Sequence, residues 1–256
     1  MKDFTHDNYK LLLEVLLKNN YEFITMEDFF TLSIDNSKRY VLMRHDVDRR
    51  PKGSLEMAKI EQGYGIKATY YFRTITQTLK PDIIKKIASL GHEIGYHYES
   101  LAETNGDFEK ALKDFEKNLA ILNALYPIKS ISMHGRPTSR WDSRLLWEKY
   151  DYTTYGILSE PYFDIDFEKI YYVTDAGRAW DNHSINLRDK VKTSFDFPVS
   201  TTTDIVTLIQ SSQLPNIIMI NIHPEHWSSK TIQWYKIFIL RKMKNTIKKL
   251  LIRSKK

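Results

Sequence analysis

The stretch YVLMRHDVD, residues Tyr40 to Asp48, passes from an apolar run to three side chains that can bind a metal ion or carry a proton. The apolar and β-branched residues at its start predict a buried strand over residues 40–45. A strand that ends in His45, Asp46 and Asp48 no longer adds to a core. We therefore expect a polar functional site at the carboxyl end of this strand.

Similar short apolar runs recur along the chain and alternate with stretches of helical period. Strands are predicted at residues 40–45, 68–73, 92–97, 130–134, 152–156, 170–174, 194–198 and 216–222. Helices are predicted at residues 7–19, 54–64, 81–90, 107–125, 142–149, 202–212 and 229–252. This alternation favours parallel strands joined by helices. The predicted fold class is α/β, a distorted (β/α) barrel of about seven parallel strands with a C-terminal basic helix, in preference to an open sheet.

Length and composition predict a single domain over residues 1–256, because 256 residues with 42% hydrophobic content suffice for one large core. The chain has no cysteine, which excludes disulfides, thiolate metal sites and a thiol nucleophile. Any metal ion must therefore be held by His, Asp or Glu. The N-terminal residues lack the basic start and unbroken apolar stretch of a signal peptide, so we expect a cytoplasmic protein.

The charge is unevenly distributed along the chain. The net charge is +6, but residues 228–256 contain ten Lys or Arg and no Asp or Glu, which leaves 28 basic and 32 acidic residues elsewhere. A basic surface for nucleic acid spread over the fold is therefore not expected. The tail itself has the period of a basic amphipathic helix. This helix either packs on the core as the last helix of the fold or makes a peripheral contact with an anionic membrane surface.

Four of the eight histidines fall at the ends of predicted strands: His45, His97, His134 and His223. In a parallel β/α barrel the loops that follow the strands converge on one face, where active sites form. These histidines are therefore expected to lie near one another.

Several segments resemble the polysaccharide deacetylases, the NodB-homology group of carbohydrate esterases, over roughly residues 40–227. The most specific is SLGHEIGYH, which ends at His97, and the others are RHDVD, GRP, DAGRAW and NIHPEHW. The resemblance implies a distorted β/α barrel, with residues 228–256 as an additional helix. In this family a second metal-binding histidine stands four residues after the first, where this chain has Leu101.

The resemblance also implies roles for individual residues. Asp46 would be the catalytic base, Arg136 would orient it, and His223 would be the general acid. Asp48 and His97 would bind the metal ion. Asp175 and Trp180 would line the substrate groove, and sugar rings could stack on Trp180 and Trp227 through their apolar faces. Because leucine cannot bind a metal ion, either His134 supplies the third ligand from its strand end or the site is degenerate.

Such a ligand set suits amide hydrolysis. A divalent ion acidifies water and polarises a carbonyl group, and mixed Asp and His ligands favour zinc, with cobalt, nickel or iron as alternatives. Together with the resemblance, this implies a metal-dependent hydrolase that removes an acetyl or other acyl group from an N-acetylated sugar or related amide, with a carbohydrate or lipid-linked glycan as substrate. The alternatives are a catalytically weak carbohydrate-binding barrel and another metal-dependent amidohydrolase.

Simpler roles compete for some of these residues. Asp48 at a strand end could cap a helix, and the two tryptophans could be ordinary core aromatics. His92, at the start of its strand, is expected to serve in packing or hydrogen bonding.

Overall fold

The computed structural model describes residues 2–136, 139–180 and 189–253, with side chains of the last helix described as far as residue 247. Seven strands form one sheet: β1 (Tyr21–Ile24), β2 (Arg39–Val47), β3 (Thr69–Phe72), β4 (Glu93–Tyr98), β5 (Ile131–Met133), β6 (Tyr171–Thr174) and β7 (Ile217–Ile222). All of the strand pairs are parallel. The strand order is β5-β4-β3-β2-β7-β6, and β1 pairs with β2. The predicted α/β class with about seven parallel strands is confirmed, in the form of a curled half-barrel.

Helices connect the strands and cover the sheet. They are α1 (His6–Lys18), α2 (Met26–Thr31), α3 (Pro51–Gly63), α4 (Pro81–Ser89), α5 (Ser100–Glu103), α6 (Phe108–Asn123), α7 (Leu146–Lys149), α8 (Pro161–Asp164), α9 (Thr202–Gln210) and α10 (Thr231–Arg253). Short 3₁₀ turns occur at Ser143–Leu145, Tyr152–Tyr155 and Pro224–His226. Every predicted helix corresponds to a helical segment. No helix within the described residues is both long and apolar enough to cross a membrane.

The central strand β2 is buried on both faces. Val41, Met43 and Val47 join a large apolar cluster shared with the surrounding helices, the helix-side cluster. Tyr40 and Leu42 point the other way, into a smaller inner cluster with residues of β6 and β7. This alternation follows from the two-residue period of a strand, and it decides which polar side chains of β2 can face the site.

Two predicted strands are wrong. Residues 152–156 form a 3₁₀ turn, because the Asp151 side chain accepts a hydrogen bond from the Thr153 amide and starts the turn, and Gly156 ends it with φ of 73°. Residues 194–198 form no ladder among the described strands; Phe195 and Phe197 pack their rings against Tyr171 instead.

Four short elements were not predicted: β1, α2 and the single-turn helices α5 and α8. β1 contributes only four residues beside the first half of β2. α2 is a six-residue helix that begins with a capping box formed by Thr25 and Asp28. All four are shorter than the windows over which hydrophobic periodicity can be recognised.

Candidate active site

The inner face of the sheet gathers polar groups beyond the apolar inner cluster. Successive side chains of a strand point to opposite faces, so Arg44 and Asp46 lie on the same face as Tyr40 and Leu42. The same alternation along β4 places His97 on this face. Asp48 follows immediately after β2, and His134 follows β5. The carboxyl ends of neighbouring parallel strands thus place these side chains together.

Asp46 is buried and held by hydrogen bonds on both oxygens. Arg44 donates from Nε to Oδ1 at 2.9 Å and from Nη2 to Oδ2 at 2.8 Å, and Asn221 Nδ2 donates to Oδ2 at 3.0 Å. Burial alone would raise the pKa of Asp46, but the Arg44 guanidinium and then His97 hold it well below its ordinary value. Asp46 is therefore an oriented, ionised carboxylate, 3.8 Å from Nε2 of His97.

Three predicted metal ligands meet around one oxygen. Asp48 Oδ1 lies 3.4 Å from His97 Nε2 and 3.3 Å from His134 Nε2. This oxygen is buried and has no hydrogen-bond partner among the described residues. A buried carboxylate oxygen without a hydrogen bond is costly, and a cation held between it and the two ring nitrogens would satisfy it.

Hydrogen bonds at the far side of each imidazole orient the two rings. Nδ1 of His97 lies 2.8 Å from the Ser132 carbonyl oxygen, and Nδ1 of His134 lies 2.9 Å from Glu99 Oε2. Since a carbonyl and a carboxylate accept hydrogen bonds, Nδ1 carries the proton in both rings and Nε2 is directed at Asp48. Arg73 in turn donates to Glu99. Metal-binding histidines are typically held in this way.

His223 stands at the end of β7 and is paired with Asp175. Asp175 Oδ1 accepts from the His223 amide at 2.9 Å and lies 2.7 Å from its Nδ1, while Oδ2 accepts from Trp227 Nε1 at 2.8 Å. Burial would lower the pKa of His223, but Asp175, with Asp48 and Asp46, raises it to about 10. His223 is therefore a protonated imidazole near neutral pH, which suits a proton donor.

A second group could hold a metal ion: the ligand atoms of Asp175, His223 and His226 all lie within 4.8 Å of one another. We favour the Asp48 group because both Asp175 oxygens already accept short hydrogen bonds, whereas Asp48 Oδ1 has no hydrogen-bond partner among the described residues. His226 is fully buried, and burial lowers its pKa to about 3, so it stays neutral beside His223.

The prediction that Arg136 orients Asp46 is wrong in this structure. The Arg136 side chain is 38% exposed and pairs with Glu103, and Pro137 of the same motif lies outside the described residues. Arg44 occupies the orienting position because it stands two residues before Asp46 on the same face of β2. This i, i+2 pair was visible in the sequence but was not identified.

The prediction that sugar rings stack on Trp180 and Trp227 is also wrong. Both indoles are buried and pack against Phe4. Trp180 Nε1 donates to Thr202, and Trp227 Nε1 donates to Asp175. Trp227 therefore orients Asp175, and neither ring presents a face to a ligand.

His45 lies outside the site although it stands between Arg44 and Asp46. It points to the opposite face of β2, where its Nε2 lies 2.5 Å from the buried carboxylate of Glu61. Tyr70 also donates to Glu61, and Tyr9 hydrogen-bonds to it. His92 is buried near this group with Nδ1 accepting from the Ala68 amide, as its expected hydrogen-bonding role requires.

Leu101 is fully buried in the helix-side cluster, near the start of α5. Its side chain is thereby part of the core. His134 instead approaches Asp48 from the end of β5.

No family model matches the sequence, and no curated protein matches it. The solved structures to which the chain is similar include carbohydrate esterases of family 4, both deacetylases and pseudoenzymes. A family 4 carbohydrate esterase from Bacillus anthracis is 13% identical, with 91% of this chain and 86% of that chain covered and a TM-score of 0.44.

Two further similar structures cover comparable lengths of this chain. The catalytic domain of a peptidoglycan N-acetylglucosamine deacetylase from Eubacterium rectale is 16% identical, covering 83% of this chain and 88% of that one, with a TM-score of 0.48. A family 4 pseudoenzyme from Bacillus anthracis is 12% identical over 82% of this chain, with a TM-score of 0.46, and the match spans 63% of that protein.

Proposed function

We propose that this protein is a metal-dependent hydrolase that removes an acetyl or related acyl group from an N-acetylated sugar. The observation that carries the proposal is the unsatisfied Asp48 oxygen between the Nε2 atoms of His97 and His134, with ionised Asp46 beside it. The negative charges of Asp48 and Asp46, together with Asp175, also act on His223 and keep it protonated.

The donor set fits a divalent transition metal. Asp48, His97 and His134 would hold it, and zinc is the first expectation, with cobalt, nickel or iron(II) as alternatives. When bound, such an ion supplies Lewis-acid polarisation of the acyl carbonyl and acidifies water for attack.

The residues of the chain account for the proton transfers. Asp46 stays ionised and, fixed by Arg44 and Asn221, accepts the proton of the attacking water. The bond between water oxygen and carbonyl carbon forms, the carbon–nitrogen bond breaks, and His223 gives its proton to the departing amine. Asp175 positions His223 and keeps it protonated. Acetate and a free amino sugar are the products.

The first prediction concerns the ligands. Purified protein should bind about one zinc ion per chain, and alanine at Asp48, His97 or His134 should abolish tight binding. Glu99→Gln replaces the carboxylate that pairs with His134 and Arg73 by a neutral amide, and it should weaken zinc affinity by roughly 10–100-fold. Calorimetric titration with zinc and elemental analysis measure both effects. Glu103→Gln, an exposed glutamate paired with Arg136, is the matched control and should bind zinc normally.

Other outcomes would reassign the site. Loss of zinc in His226→Ala, with retention in His134→Ala, would move the ion to the group of Asp175, His223 and His226. Zinc binding without release of acetate from N-acetylglucosamine oligomers would favour a carbohydrate-binding barrel over an enzyme.

The second prediction is a pH dependence. Because Asp175 raises the pKa of His223 from 6.5 to about 10, its proton stabilises the folded chain fully below pH 6.5, and this contribution is lost as the pH rises through about 10. Activity should fall over the same upper range. Asp175→Asn should shift the alkaline limit of the rate profile toward neutral pH, whereas Asp166→Asn on the surface should leave it in place. An unchanged limit in Asp175→Asn would contradict the assigned acid.

A further inference from the structure

The helix α10 docks on the rest of the protein through one side only. Trp234 Nε1 donates to the Asp3 carbonyl at 2.7 Å, Arg241 donates to Glu225 at 2.6 Å, and Asn245 donates to the Gly177 carbonyl at 2.9 Å. Ile237 is buried on the same side. These contacts recur every three or four residues, so they define a single face of the helix.

The opposite side of α10 is apolar and open to solvent. Ile232 is 75% exposed, Ile239 54% and Met243 58%, and Tyr235, Leu240 and Ile247 are exposed as well. At 100° per residue this stripe lies about half a turn away from Trp234 and Arg241. Single exposed apolar side chains are ordinary, but six on one face of a helix mark an interaction surface.

Positive charge flanks the stripe. Lys242 and Lys244 are exposed at its two edges and Lys236 is exposed within it, and the sequence from Ser228 onward contains no Asp or Glu. The positive charge continues at the first turn of α10, in a cleft lined by Lys230 and by residues Arg50, Lys52 and Lys80 together with Glu56 and Asp82. An apolar stripe with cations at its edges is complementary to a surface that has an apolar interior and an anionic outer layer.

We propose that α10 binds the protein to an anionic membrane surface, with the stripe of Ile232, Tyr235, Ile239, Leu240, Met243 and Ile247 inserted at the boundary of headgroups and acyl chains. Lys236 and Lys242 then contact lipid phosphates. A second copy of the chain fits less well, because pairing two α10 helices would bring their lysines together with no carboxylate on either helix. The helix lies on the bilayer and does not span it.

The docked face connects this surface to the candidate active site. Arg241 binds Glu225, which lies between His223 and His226, and Asn245 binds the loop that follows Asp175. A protein held on lipid by α10 therefore carries its site close to the bilayer. If the proposed deacetylase function holds, this position suits a glycan attached to a lipid rather than a free sugar.

The test is co-sedimentation of the full chain with vesicles of phosphatidylcholine alone or mixed with phosphatidylglycerol, at low and high salt. We expect binding to the anionic vesicles that weakens with salt. Ile239→Ser/Met243→Ser and Lys236→Glu/Lys242→Glu should each weaken it by about tenfold or more. Leu32→Ser, at a 57% exposed apolar residue outside α10, is the matched control and should bind normally.

Two measurements keep the result interpretable. Thermal melting establishes that the variants fold, which their exposed positions predict, and light scattering gives the oligomeric state. Equal binding to both kinds of vesicle, or none to either, would overturn the proposal. A dimer that Ile239→Ser/Met243→Ser dissociates, without vesicle binding, would assign the stripe to self-association. Because acetate release plays no part in these measurements, their outcome is independent of the proposed catalysis.

Discussion

Asp46→Asn is expected to retain the metal ion and lose roughly 10²–10⁴-fold in the rate of acyl hydrolysis, the range typical of a general base. The three proposed ligands remain in this variant, so zinc stoichiometry should stay near one per chain. The asparagine cannot accept the proton of the attacking water. Acetate release measured beside elemental analysis separates these two effects.

The substitution also removes the negative partner of buried Arg44, so activity should be measured well below the melting temperature. Asp48→Asn is the comparison variant, because it should lose the metal ion. The opposite pattern, with metal lost in Asp46→Asn and kept in Asp48→Asn, would exchange the roles of base and ligand.

Arg44→Met is expected to destabilise the protein by about 3–5 kcal/mol, because it leaves the buried Asp46 carboxylate without its counter-charge. For a chain of this size, that loss corresponds to a melting temperature lowered by roughly 10 °C. The guanidinium is buried, donates two hydrogen bonds to Asp46 and lies over the ring of Tyr71 at 5.3 Å. Calorimetry or circular dichroism measures the change.

A double variant tests the cause. Arg44→Met/Asp46→Asn has neither charge and should melt at a higher temperature than Arg44→Met while remaining inactive. Arg136→Met, which replaces an exposed arginine, should change stability by no more than about 0.5 kcal/mol. If the double variant is as unstable as the sum of the single ones, packing of the Arg44 side chain, and not the buried charge, accounts for the loss.

The strands that carry the site were predictable because each is a run of apolar residues long enough to recognise. β2, β3, β4 and β7 all lie where the sequence predicted strands. The two-residue period would also have separated His45 from Asp46, since adjacent residues of a strand face opposite sides. The same rule would have identified Arg44.

Other features depend on contacts between distant parts of the chain. The approach of His134 to Asp48 requires the register in which His97 pairs with Ser132, and residue spacing does not determine that register. The burial of Trp180 and Trp227 depends on Phe4, far away in sequence. Arg136 follows β5 in an irregular segment, where periodicity gives no direction for a side chain.

β2 is paired along both edges over most of its length. β7 pairs with residues 40–45 on one edge, while β1 pairs with residues 39–42 and β3 with residues 44–47 on the other. Opening this strand requires two ladders to separate at once, whereas α10 can detach by losing one face of contacts. The amides around Arg44 and Asp46 are therefore expected to exchange more slowly than those of α10. Local fluctuations at the surface should leave Arg44 and Asp46 in register.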